Sequence, residues 1–136
     1  MSDLMASIGR TQLTKIHKFK QKRKLLLKKY IKNLSKNKSI GLISYNVEEV
    51  MPHIFCIILP YNMDRDSLIT KLGNKGIQTG IHYFPNHMLE LYKQNIKLVN
   101  TEKIYTKILS LPMHVDLSIK EVDYICNNLS DLIKTT

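Results

Sequence analysis

The sequence has few cysteines, no long apolar run and almost no acidic residue near its N-terminus. Its two cysteines, Cys56 and Cys126, fall in apolar segments without Cys-x-x-Cys spacing, which predicts core thiols of a reduced, cytoplasmic protein. No apolar run approaches the ~20 residues that span a bilayer, so we expect no membrane segment. The first residues also lack the charged and apolar regions of a signal peptide.

The common signatures of a self-contained active site are missing as well. There is no Gly-x-Ser-x-Gly turn for a serine nucleophile and no glycine-rich loop for a phosphate. His82 and His87 form a cluster that contains no Asp or Glu, and they follow no familiar ligand spacing. We therefore predict no metal site, and we interpret His17 and His53 as hydrogen-bonded, half-buried residues.

Residues 1–38 contain a single acid, Asp3, and most of the net charge of +10 is concentrated there. The basic residues of this segment are Arg10, Lys15, Lys18, Lys20, Lys22, Arg23, Lys24, Lys28, Lys29, Lys32, Lys36 and Lys38. Lysine far outnumbers arginine, the residue that base and phosphate recognition prefers. We interpret the charge as the solvated face of a long helix and keep a small nucleic-acid-binding protein as the less favoured alternative.

Helical spacing of apolar residues predicts one long helix from residue 3 to about 34, with Ser2 as its N-cap and Asp3 in its first turn. At ~1.5 Å per residue this helix would be about 48 Å long. A helix longer than its own small domain is expected to pack on something else. We treat residues 1–136 as a single domain, with a helix over 1–35 and an α+β part over 36–136.

The rest of the chain alternates short strands and helices. We predict strands at 40–45, 53–59 and 77–83, the second of them central because its apolar run is unbroken. We predict helices after the capping residues 62–66, within 86–94, over 101–109, and after the Ser118–Glu121 capping box. The fold class is therefore α+β, with a small mixed or antiparallel sheet, helices packed on one face and a long N-terminal helix.

The predicted strand 77–83 has two different faces. Ile77, Thr79, Ile81 and Tyr83 alternate on a face that suits a core, whereas Gln78, Gly80 and His82 alternate on the other. A glycine beside a histidine suits the close approach of a ligand or of another chain.

Four segments together resemble one known family. They are the run 76–87 (Gly-Ile-Gln-Thr-Gly-Ile-His-Tyr-x-Pro-x-His), the opening Met-Ser-Asp-Leu-Met-Ala-Ser-Ile-Gly, the segment Arg65-Asp-Ser-Leu-Ile, and Leu109-Ser-Leu-Pro-Met-His followed by an acidic amphipathic helix. In this order they resemble the C-terminal domain of the DegT/DnrJ/EryC1/StrS family of PLP-dependent sugar aminotransferases. The resemblance extends over essentially the whole chain.

The resemblance implies transfer of an amino group from an amino acid, usually glutamate, to a keto-sugar carried by a nucleotide, as in amino-sugar biosynthesis. In the family, the lysine that holds PLP, the aspartate for the pyridine nitrogen and the phosphate-binding turns lie in a large N-terminal domain. We expect that domain to be absent here. The chain would then contain no catalytic residue, bind no PLP alone and be inactive alone.

The resemblance also assigns site residues. His82 and Tyr83 would line the substrate side of the cleft, with His87 close by, whereas Met1 and Ser2 would lie near the dimer interface and the cofactor of the neighbouring subunit. The family residues at Phe84 and Asn86 vary, so the sugar stays open. A homodimer or self-association is expected, since apolar surface on the long helix would be exposed. A stand-alone module that pairs with an intact aminotransferase is the main alternative.

Overall fold

The computed structural model describes residues 2–93 and 95–134. In chain order the elements are α1 (Asp3–Leu34), β1 (Gly41–Leu42), β2 (Phe55–Ile58), α2 (Arg65–Gly73), two 3₁₀ turns (Asn86–Met88 and Glu90–Tyr92), α3 (Val99–Tyr105), β3 (Ile108–Leu111) and α4 (Ile119–Lys134). The fold is α+β, as the sequence predicted. None of the helices in the described part of the chain is long and apolar enough to cross a membrane.

The strands form one antiparallel sheet in the order β1-β2-β3. β2 is central and contributes Phe55, Cys56 and Ile57 to the buried interior, which confirms the predicted central strand. On its two sides, β1 pairs Gly41 with Ile58, and β3 pairs along the whole length of β2. The neighbours on both sides satisfy the backbone hydrogen bonds of β2 and account for its apolar sequence.

The long helix α1 has the predicted bounds, but only its C-terminal part belongs to the core. The Oγ atom of Ser2 accepts a hydrogen bond from the backbone N–H of Met5, as an N-cap does. The buried residues of α1 are Leu26, Leu27, Tyr30 and Leu34, all in its second half. The first half therefore extends beyond the body of the domain, as its predicted length of about 48 Å implied.

The core lies between the C-terminal half of α1, α2, α4 and the sheet. Ser118 and Glu121 form the predicted capping box of α4, in which each backbone N–H donates to the other residue's side chain. The predicted apolar stripe of this helix is buried at Val122, Ile125, Cys126, Leu129 and Ile133, with Leu132 partly buried.

The structure corrects the predictions around the third strand. Residues 77–83 do not form a strand, and only Gly80 pairs, in an isolated bridge to Ser110. The predicted helix 101–109 ends at Tyr105, because Ile108–Leu111 instead pairs with β2. The pairing provides backbone hydrogen bonds and burial that a further helical turn would not give these residues. The predicted strand at 40–45 is likewise reduced to Gly41–Leu42.

The predicted core face of 77–83 is only partly correct. Ile77 is buried, whereas the side chain of Tyr83 is 67% exposed. Without a continuous strand, the alternation between two faces does not persist past the bridge at Gly80. Cys56 and Cys126 are both buried free thiols, in agreement with their predicted core positions.

Candidate substrate-side cleft

A cleft of about 670 Å³ lies beside the outer edge of β3, between the 76–82 segment and the start of α4. Three imidazoles line it, from His53, His82 and His114. The other described lining residues include Gln78, Gly80, Ser110, Met113, Glu121 and Tyr124. The cleft thus combines an apolar floor with several polar groups, a composition typical of ligand sites.

His82 is the most constrained of the three histidines. Its Nδ1 atom lies 2.9 Å from the Oγ atom of Ser110, which in turn lies 3.1 Å from the Sγ atom of Cys56. Ser110 is only 4% exposed, and it is held in register by two backbone hydrogen bonds with Gly80, of 3.0 and 2.8 Å. The imidazole is therefore attached to the sheet through a buried hydroxyl.

Gly80 makes room for this ring. A Cβ atom built on Gly80 would lie 2.6 Å from the Cε1 atom of His82, closer than any real side-chain contact. The predicted juxtaposition of a glycine and a histidine is therefore present, although it arises at a bridge and not within a strand.

Tyr83 lies at the rim next to His82. The two rings meet edge to face, with centroids 4.9 Å apart, and the peptide bond between them is cis. Tyr83 also borders a shallow depression that includes Pro85, Tyr105 and Ile108. The structure thus brings together the first two predicted substrate residues, one lining the cleft and one exposed at its rim.

His87 occupies a different place. Its side chain is 8% exposed, and its Nε2 atom lies 3.2 Å from Oε1 of Glu102. The same carboxylate oxygen accepts the backbone N–H of Leu98 at 2.9 Å, and the hydrogen bond with His87 holds the pKa of Glu102 below its usual range. His87 borders a depression with Asn86 and Tyr92, separate from the cleft that His82 lines.

Of the two predicted cofactor-side residues, Met1 is outside the described residues. Ser2 is exposed at the N-cap of α1 and does not line the cleft described here.

Two features of the cleft were missed by reasoning from the sequence. His53, interpreted as a hydrogen-bonded, half-buried residue, is exposed and lines the cleft, and Ser110 was given no role. His17, which was interpreted in the same way as His53, is exposed on α1. A signal for Ser110 was available, because it is a lone hydroxyl inside the apolar run Ile108–Leu111. The bond from Ser110 to His82 could not be read from the sequence, since 28 residues separate them.

The cleft does not fit PLP as an attachment site. Its described lining includes no lysine to form a Schiff base and no aspartate to pair with a pyridine nitrogen. Among the described residues, no group of three or more His, Cys, Asp or Glu side chains is arranged to hold a metal ion. The chemistry that this cleft offers is hydrogen bonding to a ligand from imidazole, amide and hydroxyl groups.

The sequence and the fold identify the family to which the chain belongs. A profile of the DegT/DnrJ/EryC1/StrS aminotransferase family matches residues 1–130, and the chain belongs to this family. Among curated proteins, it is 26% identical over 140 residues to the UDP-4-amino-4,6-dideoxy-N-acetyl-beta-L-altrosamine transaminase of Campylobacter jejuni. That match covers 98% of this chain and 37% of the relative, so the chain spans about a third of the relative's length.

Solved structures agree. Spr1654 of Streptococcus pneumoniae, assigned as a sugar aminotransferase and solved in its PLP form, has a TM-score of 0.86 and 26% identity, covering 99% of this chain and 36% of that protein. PseC of Helicobacter pylori, an aminotransferase of pseudoaminic acid biosynthesis, has a TM-score of 0.80 at 22% identity, with 94% and 36% covered. At 22% identity, the similarity to PseC shows a shared fold and nothing more.

Proposed function

We propose that this chain forms the substrate-side portion of a PLP-dependent aminotransferase that acts on a nucleotide-linked keto-sugar. The observation that carries the proposal is the oriented imidazole of His82, held by Ser110 and seated over Gly80 at the edge of an open cleft. Family membership over residues 1–130 supports the reaction class. The C. jejuni relative, whose name specifies a UDP-linked N-acetylated amino sugar, supports the substrate class.

In this proposal His82 and Tyr83 contact the sugar nucleotide. His82 lines the cleft and can form a hydrogen bond to a ligand oxygen, while the exposed ring of Tyr83 offers an apolar face and a hydroxyl at the rim. His87 acts nearby by fixing the segment between Pro85 and α3 through Glu102. The exposed end of α1 at Ser2 lies near the cofactor of a neighbouring subunit in a homodimer.

Catalysis requires groups that the cleft does not provide. PLP, when bound in such enzymes, serves as the electron sink for amino transfer, and a lysine holds it and shuttles protons. The described cleft residues include no such lysine. We infer that the chain alone binds no PLP and does not transaminate, and that the lysine belongs to another part of the enzyme or to a partner chain.

The absence of transamination can be tested directly. We expect that adding PLP to the purified chain gives no internal-aldimine absorbance band, and that borohydride reduction followed by mass spectrometry labels no single lysine preferentially. Stoichiometric labelling of one defined lysine, together with an aldimine band, would contradict this part of the proposal.

Substrate binding is tested with UDP-N-acetylglucosamine as a stable probe. We expect the nucleotide sugar to perturb the NMR signals of His82 and Tyr83, and we expect His82→Ala to weaken binding by about tenfold, the effect of losing one hydrogen bond to a charged or polar ligand. His17→Ala, a change of an exposed imidazole on α1, is the matched control and should bind like the unaltered chain. Equal binding by the two variants would contradict the assignment of His82.

A second role is favoured by one observation. The first half of α1 exposes large apolar side chains, at Leu4, Met5, Ile8, Leu13 and Ile16. Exposed apolar patches mark interaction surfaces, so the chain could act as a module that pairs with an intact aminotransferase. Co-purification of the tagged chain with a full-length family member tests this role, and failure to associate would exclude it.

A further inference from the structure

Among the described residues, Ser110 is the one polar residue that is buried as a whole, backbone and side chain together, at 4% exposed. It lies in the middle of β3, between Leu109 and Leu111, which are both buried. A hydroxyl removed from water costs free energy unless it forms hydrogen bonds, so its two partners matter. These partners are the Nδ1 atom of His82 at 2.9 Å and the Sγ atom of Cys56 at 3.1 Å.

The number of hydrogens on His82, Ser110 and Cys56 decides which residue donates and which accepts in each of the two hydrogen bonds. Ser110 carries one hydroxyl hydrogen, Cys56 carries one thiol hydrogen, and a neutral imidazole carries one N–H. If His82 donated from Nδ1 to Ser110, the hydroxyl would donate to the Cys56 sulfur, a weak acceptor, and the buried thiol hydrogen would have no partner. If instead Cys56 donates to Ser110 and Ser110 donates to Nδ1, both buried hydrogens are used. The second arrangement also gives the hydroxyl the better acceptor.

We propose that Ser110, with Cys56 behind it, is a positioning residue that holds neutral His82 in the tautomer protonated at Nε2. The Nδ1 atom then accepts from the sheet, and the Nε2–H group is left to donate. No described residue provides a hydrogen-bond partner for Nε2, and His82 lines the cleft. The cleft therefore presents a fixed donor, which selects a ligand with an oxygen acceptor at this position.

Three features around the His82 ring keep it in this orientation. The absence of a Cβ on Gly80 lets the imidazole lie against the backbone, and the Tyr83 ring contacts it edge to face. The paired backbones of Gly80 and Ser110 fix the distance from the hydroxyl to the ring. A donor whose position is set before the ligand arrives loses little conformational freedom on binding.

The tautomer can be measured on the full chain without any ligand. Long-range ¹⁵N–¹H NMR of a histidine-labelled sample, at about pH 8 and so above the ordinary imidazole pKa of about 6.5, distinguishes Nε2–H from Nδ1–H. We expect His82 to be predominantly Nε2–H. We expect Ser110→Ala to give a mixture of the two tautomers and Ser110→Thr, which keeps the hydroxyl, to restore the Nε2–H form.

Cys126→Ala is the matched control for disturbed packing. It removes a buried thiol from the core without touching Ser110 or His82, so the Nε2–H tautomer should remain dominant. An Nδ1–H tautomer in the unaltered chain would overturn the proposal, and this result needs no variant to fold. An unchanged tautomer in Ser110→Ala would overturn it as well.

The ligand-dependent part rests on the proposed function and is separated from it by titration with UDP-N-acetylglucosamine. We expect the probe to shift the Nε2 resonance of His82 and Ser110→Ala to weaken binding by about fivefold, the size of one neutral hydrogen bond. If the tautomers are as expected but the His82 signals do not respond to UDP-N-acetylglucosamine, the positioning role of Ser110 is supported and the ligand-binding role of His82 is contradicted.

Discussion

The position of the His82 ring depends on the missing side chain of Gly80. A Cβ on residue 80 would come within 2.6 Å of the imidazole carbon Cε1, while no positive φ makes a side chain unfavourable there. The neighbour that would have to move is the end of a flexible side chain. The ring, and not the backbone, is therefore expected to yield.

Gly80→Ala should accordingly displace the His82 ring from Ser110. We expect altered His82 imidazole shifts by NMR and about fivefold weaker binding of UDP-N-acetylglucosamine. We also expect a free energy of unfolding lowered by about 1–3 kcal/mol, because the buried Ser110 hydroxyl loses its imidazole partner. Gly73→Ala is the matched control. Nothing lies within 4 Å of its Cβ position at the end of α2, so it should stabilise the chain by about 0.5–1 kcal/mol without moving His82. Unaltered His82 signals in Gly80→Ala would contradict the expectation.

The buried thiol of Cys126 predicts a loss of stability in alkali. Burial raises its pKa from 9.0 to about 11, so the folded chain keeps the thiol proton longer than the unfolded chain does. The stability linked to this group is fully present below pH 9 and is lost as the pH rises towards 11. Urea unfolding between these pH values should show a decline that is smaller in Cys126→Ala. Equal slopes for the two proteins would exclude the thiol as its cause.

At the scale of elements, α4 is the helix whose start the sequence specifies most completely. Ser118 Oγ accepts from the Glu121 backbone N–H at 3.1 Å, and Glu121 Oε2 accepts from the Ser118 backbone N–H at 2.7 Å. The second bond holds the pKa of Glu121 below its ordinary value of 4.5. Both bonds satisfy N–H groups that the helix itself leaves unpaired.

Removing the cap should destabilise α4 by a measurable amount. We expect Ser118→Ala to lower the free energy of unfolding by about 1 kcal/mol in urea titrations at neutral pH. Glu121→Gln keeps a hydrogen-bonding side chain and should cost less. Because the folded pKa of Glu121 is depressed, its contribution is present above pH 4.5 and is lost as the pH falls through the folded pKa. Glu121→Gln should remove that part of the acid dependence, and an unchanged acid profile would contradict this account.

The two halves of α1 have different surroundings. The second half packs on α4 and the sheet, whereas Leu4 is 71% exposed and Leu13 is 66% exposed in the first half. With Phe19 and Met51, several of the exposed residues line an apolar groove. A helix whose apolar face stays in water is not stabilised by packing. We therefore expect another protein surface to bury the apolar face of the first half of α1.

At the scale of the whole molecule, this surface predicts self-association of the isolated chain. We expect light scattering to show a molar mass that rises with concentration, and we expect Leu13→Lys to reduce the rise because it interrupts the apolar groove with a charge. Leu91→Lys is the matched control, since Leu91 is 83% exposed but lies outside α1. A monodisperse monomer at high concentration would contradict this prediction and show that the apolar groove stays exposed to solvent without self-association.

Much of the fold could be predicted because its signals are local. The helical spacing of α1 and α4, the capping box of α4 and the apolar run of β2 each depend on residues within a few positions of one another. The family motifs are likewise continuous segments, and the match over residues 1–130 confirms the assignment that they indicated. The sequence by itself therefore determined the fold class, the central strand and the family.

The tertiary structure decided where the strands pair and what surrounds His82. β2 has only two edges, and β1 and β3 occupy them, so the 77–83 segment lies beside the outer edge of β3, with which its backbone pairs only at Gly80. A strand needs a partner for its backbone groups, and no local pattern states which partner is free. Ser110 meets residues 28 and 54 positions away for the same reason, because folding sets contacts between segments that sequence spacing leaves undefined.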